Sequence, residues 1–252
     1  MSAKFQLGHA KIDKLNRRSA VDAVIAAAES GKPYYVVTPN SDHLVRLESD
    51  ENLRQIYSQA NLVIADGMPL VWASRLLGNP LEERVTGADL MPAVCEEAAK
   101  RGLSIFMMGA PEGVAIEAQK RLEKSYPGLK VVGAYSPPYG FEKDKQINTE
   151  IIEMINAAAP DIIFVGLGAP KQESWIHQNH QKFSKGAFLG IGASIDFIAG
   201  NVKRAPLWVQ KSGFEWMYRL LQEPGRLAKR YAADTYVLWI ILREVFRKRS
   251  YS

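Results

Sequence analysis

The chain has 252 residues, 47% apolar and 23% charged, an ordinary globular composition long enough for one large core or a core with an appendage. Its single cysteine, Cys95, excludes an internal disulfide, and without a secretory leader the sequence predicts a reducing, cytoplasmic location. The net charge of +5 sits in the C-terminal fifth: residues 201–252 carry eleven Lys/Arg and four Asp/Glu, while the first two hundred carry 21 and 23. A basic tail on a near-neutral body points to an anionic partner (a phosphorylated ligand, nucleic acid or a membrane surface) or to a solvated helix face.

Taken in chain order, apolar β-branched runs predict strands at 34–37, 62–65, 104–108, 130–134, 161–165 and 187–191. Helical periodicity separates them at 21–29, 44–58, 88–101, 114–125, 146–158 and 172–183. Strands alternating with helices of this length predict an α/β fold with a mainly parallel sheet, and Ile162-Ile163-Phe164-Val165 reads as a strand buried on both faces. From Asn201 the strands stop. Helices are expected at 213–221 and 224–248, with Pro206 and Pro224 as punctuation, so a catalytic core over 1–200 and a helical appendage over 201–252 are expected. The run Tyr236–Leu242 is only seven residues long, whereas a membrane span needs about twenty. Followed by Arg243, Arg247, Lys248 and Arg249, it reads as an interfacial amphipathic helix or as a core helix packed on the domain or a second copy.

Three polar clusters adjoin these segments. Thr38-Pro39-Asn40-Ser41-Asp42 and Ala65-Asp66-Gly67-Met68-Pro69 each follow a predicted strand; Glu83-Arg84-Val85-Thr86-Gly87-Ala88-Asp89 precedes a predicted helix. In an open parallel sheet the carboxyl ends of strands line the ligand crevice, so these residues are expected to converge on one cleft. Asp66, ending an apolar strand before Gly67, suits a general base; the alternative is an N-cap for a helix starting near Pro69. Gly109-Ala110-Pro111 and Gly168-Ala169-Pro170 both follow strands and precede helices, which is a place for an anion or an ordinary βα turn, with proline suited to the first helical position.

Other chemistries are disfavoured. No G-x-G-x-x-G follows a strand, there is no P-loop, and no Asp-x-Asp is present to hold a divalent metal against a nucleotide-sugar diphosphate. Leaving-group charge would then fall to Arg, Lys or helix dipoles, with no metal and no cofactor. His177 and His180 with Glu173 have helical spacing for zinc, but the polar residues around them favour an exposed polar helix. Cys95 reads as core, not nucleophile. A nucleic-acid arm is disfavoured because Trp239, Ile240, Ile241 and Leu242 form a block instead of isolated stacking aromatics.

At Thr38-Pro39-Asn40, Ala65-Asp66-Gly67, Glu83–Leu90, Gly168–Glu173 and Gly200–Pro206 the chain resembles the WecG/TagA/CpsF glycosyltransferases. Glu215–Leu220 with Glu223–Arg226 looks like that family's C-terminal motif, so the resemblance runs collinearly over nearly the whole chain. It implies a Rossmann-like core and an inverting transfer of a sugar, often N-acetylmannosamine, from a UDP donor to N-acetylglucosamine on a polyprenyl diphosphate at the inner face of the cell membrane. By this resemblance Asp66 and Arg84 are the expected catalytic residues, with Asp66 the base. Thr38, Asn40, Gly168, Gln172, Arg219 and Arg226 are the expected substrate contacts, with Lys229 or Arg230 a further basic position. Asp66-Gly67 continues here as Met68-Pro69-Leu70-Val71-Trp72, where the mannosaminyl branch has a smaller turn, so another hexose stays open. The alternative is a nucleotide-binding α/β sensor without transferase activity. A homo-oligomer is also possible.

Overall fold

A computed structural model describes residues 3–250, and the side chains of all of these except Lys211, Arg226, Lys229, Arg230, Arg249 and Ser250. The chain opens with a hairpin, β1 (Lys4–Leu7) and β2 (Ala10–Asp13), followed by α1 (Arg17–Glu29). Next come β3 (Pro33–Val37), α2 (Ser41–Ser49), α3 (Glu51–Gln59), β4 (Leu62–Val63), α4 (Met68–Leu76) and α5 (Gly87–Arg101). The second half of the body holds β5 (Ser104–Gly109), α6 (Val114–Ser125), β6 (Lys130–Tyr135), α7 (Lys145–Ala158), β7 (Ile162–Gly166), α8 (Lys171–Asn179), β8 (Gly186–Gly190) and α9 (Ser194–Ala199). Four helices finish it: α10 (Leu207–Ser212), α11 (Glu215–Gln222), α12 (Pro224–Asp234) and α13 (Tyr236–Ser250).

The six predicted strands form one parallel sheet in the order β4-β3-β8-β7-β5-β6. Alternate residues of β7 go to opposite faces. Ile163 and Val165 join one apolar cluster with α2, α3, α7 and α8, while Ile162 and Phe164 join another with α1, α5, α6 and α9. Both faces are therefore covered by helices, which is why these strands are continuously apolar.

Three local features depart from the periodicity. The expected helix 44–58 is two helices, because Asp50 takes an extended backbone and its carboxylate accepts the Leu53 N–H, starting α3 afresh. The hairpin was not foreseen; its four-residue strands bury Phe5, Leu7 and Ile12, and Asp13 accepts the Val63 N–H, tying the hairpin to β4. The expected helix 224–248 breaks at Thr235 into α12 and α13.

The final helix is two-faced. Val237 and Ile240 are fully buried in the cluster that also holds Leu44, Leu47 and Leu70, with Ile241 and Val245 against it. Arg243 forks onto Glu48 of α2 with contacts of 2.5 and 3.0 Å. Tyr236, Leu238, Trp239, Leu242 and Phe246 face outward and are exposed. Burying Val237 and Ile240 contributes about 1.5–3 kcal/mol each, so the inner face of α13 is core packing.

Candidate active site

A cavity of about 420 Å³ opens at the carboxyl ends of β3, β4, β7 and β8. Thr38, Asn40, Asp66, Arg84, Gly168, Gln172 and Arg219 all line it. The sequence-predicted residues thus meet in one place, with two exceptions. Gly109-Ala110-Pro111 is not among the lining residues, and the side chain of Arg226, like those of Lys229 and Arg230, lies outside the described residues. Neither proline takes the first helical position: Pro170 is the N-cap of α8, and Pro111 lies before the Gly113 cap of α6.

Backbone hydrogen bonds bring these segments together. The Asp66 N–H donates to Pro39 O at 2.8 Å, joining the ends of β3 and β4, and the Val85 N–H donates to Ala65 O at 2.9 Å, setting Arg84 beside Asp66. Gly87 allows α5 to start against β8, since a Cβ there would lie 2.8 Å from Ile191 O. Asp66 does not cap a helix: Gly67 occupies the cap of α4, and the carboxylate is left to the cavity. Burial raises its pKa to about 6, the nearby Arg84 opposing and Glu215 adding to the rise.

Arg84 belongs to a chain of charges that joins the body to the tail. It donates to Glu215 of α11 at 2.9 Å; Arg204 donates to the other Glu215 oxygen at 3.0 Å and to Asp89 at 2.7 Å. Thr86 caps α5 through Asp89 N–H and bonds the Asp89 carboxylate at 2.7 Å. These pairs hold the Asp89 carboxyl below its ordinary range despite burial. Arg219, one turn further along α11 than Glu215, lies 5.3 Å from the Phe197 ring, and its Nε meets no hydrogen-bond partner among the described residues. Glu215 and Arg204 escaped individual notice in the sequence, although each lies inside a quoted motif, because spacing does not reveal an ion pair spanning 131 residues.

On the opposite wall the predicted contacts are tightly held. Thr38 Oγ1 donates to Gly190 O at 3.0 Å. Gln172 spends both ends of its amide, donating to Glu173 at 2.8 Å and accepting from Gly192 N–H at 3.0 Å.

The expectation of an exposed polar helix at Glu173–His180 is corrected. Gln172, Glu173, Trp175, Asn179 and His180 are buried, since α8 packs between β3, β7 and α3. His180 lies against Tyr35 with ring centroids 4.7 Å apart, and Glu173 faces His43, not the other two histidines. Among the described residues no group of three or more His, Cys, Asp or Glu is arranged to hold a metal. Cys95 is fully buried, and burial pushes its thiol well above the ordinary range.

The family model for the WecG/TagA/CpsF glycosyl transferases matches residues 5–251. The chain belongs to this family. It is 34% identical over 218 residues to the N-acetylglucosaminyldiphosphoundecaprenol N-acetyl-β-D-mannosaminyltransferase of Bacillus spizizenii, covering 86% of this chain and 82% of that one. The proteins of the same name from Bacillus subtilis and Staphylococcus aureus are 33% identical over 216 residues and 32% over 203. They cover 86% and 81% of this chain, and 82% and 78% of their own lengths. A glycosyltransferase of the WecG/TagA/CpsF family therefore has Asp66, Arg84 and Arg219 in one cavity at the carboxyl end of its sheet. No helix among the described residues is long and apolar enough to cross a membrane.

Proposed function

We propose that the enzyme transfers a sugar, N-acetylmannosamine or a related hexose, from a UDP donor to N-acetylglucosamine carried on a polyprenyl diphosphate. The observation that carries this reading is a recessed carboxylate, Asp66, sharing one cavity with Arg84 and Arg219. The relatives' printed names supply the acceptor and the sugar class.

In this reading Asp66 takes the proton of an acceptor hydroxyl, whose oxygen attacks the anomeric carbon from the face opposite the diphosphate. The new glycosidic C–O bond forms as the bond from the anomeric carbon to the phosphate oxygen breaks, and UDP leaves with inversion. A base with a pKa near 6 is ionised at neutral pH and still basic enough to accept the proton. Arg84 and Arg219 meet the charge developing on the diphosphate, as donors placed before the reaction. Arg84 is already shared with Glu215, so donor binding redistributes that pair; Arg219 meets no carboxylate among the described residues and offers its charge outright.

The tail serves the acceptor. Trp208, Trp216, Leu221, Leu238, Trp239 and Leu242 are exposed on α10, α11 and α13, and Trp72, Trp216 and Leu238 line the cavity. An apolar face beside a basic tail suits peripheral attachment to an anionic bilayer on the cytoplasmic side, with the lipid acceptor entering from it.

The test is a donor screen with a water-soluble N-acetylglucosamine diphospholipid analogue. Release of UDP only when both donor and acceptor are present supports transfer; saturable nucleotide binding with no acceptor-dependent release would make the protein a sensor. Activity that survives EDTA is expected from the Arg-based site, and loss on chelation with recovery on Mn²⁺ or Mg²⁺ would overturn that part.

A further inference from the structure

Along the cavity wall runs a buried polar network that the transfer mechanism above does not use: His43 lines the cavity with Asn40 and Gln172, and Glu173 stands behind them. Glu173, on α8, is completely buried. Its Oε1 accepts from two donors, His43 Nε2 at 3.2 Å and Gln172 Nε2 at 2.8 Å. The His43 ring, also buried, places Nδ1 2.9 Å from Asn40 Oδ1 and 3.3 Å from the Asn40 backbone N–H. Gln172 then reaches across to Gly192 N–H on the turn after β8. One carboxylate thus ties together the ends of β3 and β8 and the start of α8, three of the segments that wall the cavity.

Burying a carboxylate is costly, and an apolar residue at such a place often gives equal or greater stability. A buried ionic group does supply direction. The hydrogen bonds of Glu173 hold the side chain and pair it with His43, keeping its carboxyl low in pKa despite complete burial. Amides are ambiguous recognition groups, because turning one over exchanges donor for acceptor. Asn40 and Gln172 are the two amides that line the cavity, and both end on Glu173, one through His43 and one directly.

We propose that Glu173 is a positioning residue for the donor sugar: it acts through His43 on Asn40, and directly on Gln172, so that both amides meet the donor in a single orientation. The inference rests on the transferase reading and assigns Asn40 and Gln172, two of the expected substrate contacts in the cavity, to the donor.

The experiment compares wild type with N40A, H43Q, E173Q and the H43Q/N40A double variant. Donor and acceptor KM and kcat are measured with UDP-N-acetylmannosamine and the soluble acceptor analogue, donor Kd by calorimetry, and folding by thermal melting. Gln at 43 can still donate toward Glu173 but cannot bridge to Asn40, so the fold is expected to stand. H43Q and N40A should each weaken donor Kd and raise donor KM about ten- to a hundredfold, the range a misplaced binding group produces, with acceptor KM within twofold. The double variant should be no worse than N40A, because His43 would act through the residue already removed. E173Q should show the same donor-selective loss.

A folded H43Q with donor Kd and KM within twofold of wild type overturns the proposal, as does a double variant whose losses multiply. Equal damage to donor and acceptor parameters, or failure of both H43Q and E173Q to fold, would assign the network to stability and also overturn it. If instead the wild type transfers no sugar while binding donor, it is the transferase reading that falls.

Discussion

The cavity has two walls built in different ways. The sheet wall (Thr38, Asn40, Asp66, Gln172) stands on strand ends and the helix starts that follow them, fixed by neighbouring segments: Thr38 to Gly190, Asp66 N–H to Pro39, Gln172 to Glu173 and Gly192. The tail wall (Glu215, Trp216, Arg219, Leu238) comes from helices held to the body by the Arg84–Glu215–Arg204–Asp89 charge chain, the Arg243–Glu48 pair and the buried Val237 and Ile240, among other contacts. Gly213, at φ 85°, turns the tail across α4, where a Cβ would meet Met68 at 2.7 Å. The difference implies a division of labour. In the proposed transfer, groups that must be placed within fractions of an ångström would sit on the sheet, and groups that capture a lipid-linked acceptor would sit on the tail.

The comparison is broken most sharply at Asp66. Asp66→Asn should lower kcat by about 10²–10⁴-fold while donor Kd stays within a few-fold, since the amide keeps the shape and cannot take the proton. Near-normal turnover in a folded Asp66→Asn enzyme would remove the base from the sheet wall and leave the division without its centre.

On the tail wall, Arg219→Ala should cut kcat/KM about 10- to 100-fold, even with a water-soluble acceptor, because a charged hydrogen bond contributes about 1.5–3 kcal/mol. Its effect should be smaller than that of Asp66→Asn and should fall on substrate with a diphosphate more than on hydrolytic or binding background. An unchanged rate on the soluble acceptor would restrict the tail to membrane attachment.

The pH profile sharpens the same contrast. Burial raises the Asp66 pKa to about 6, so the carboxylate is ionised above that value and protonated below it. The free enzyme's kcat/KM should therefore be level above about pH 7 and fall about tenfold per unit below 6. Arg219→Ala should leave the position of that limb in place. A limb near pH 4 in wild type would mean that the acting carboxylate is not the desolvated one.

How much of this could be read in the sequence differs between the walls in the same way. Strands β5, β7 and β8 announce themselves because burial on both faces demands unbroken apolar runs such as Ile105–Met108, and Thr38 and Asp66, the polar residues after β3 and β4, mark the crevice. The site residues themselves came from the family resemblance as much as from spacing. What stayed hidden was long-range pairing: Asp13 beneath β4, His43 against Glu173, Arg84 against Glu215. Helical period also misread α8, where polar residues such as Asn179 and His180 are buried because their hydrogen bonds are made inside, to Trp175 O and Ile176 O. In α13 the run Tyr236–Leu242 is apolar all round, and only packing separates its inner face from its outer one.

That last helix carries the smallest predicted effect on chemistry and the cleanest separation of roles. Val237 and Ile240 belong to the core, so Ile240→Ala should cost about 2–5 kcal/mol of stability and say nothing about membranes. Trp239 and Leu242 project from the opposite face and are about half exposed, at 48% and 53%. Replacing both with Ser removes the surface contacts of Trp239 with Tyr236 and Arg243 but no core packing, so the melting temperature should move by only a few degrees and turnover on a soluble acceptor should stay within twofold. Binding to vesicles rich in anionic phospholipid should weaken, because the apolar area offered to the interface is lost while the basic residues keep their attraction of about 1 kcal/mol each. Raising the salt should then release the double variant more readily than the wild type, since only the charge term remains. Vesicle binding unchanged by the two substitutions, together with a shift from dimer to monomer in sedimentation, would mean that a second copy of the chain covers this face. The tail wall would then be completed by protein and not by the bilayer.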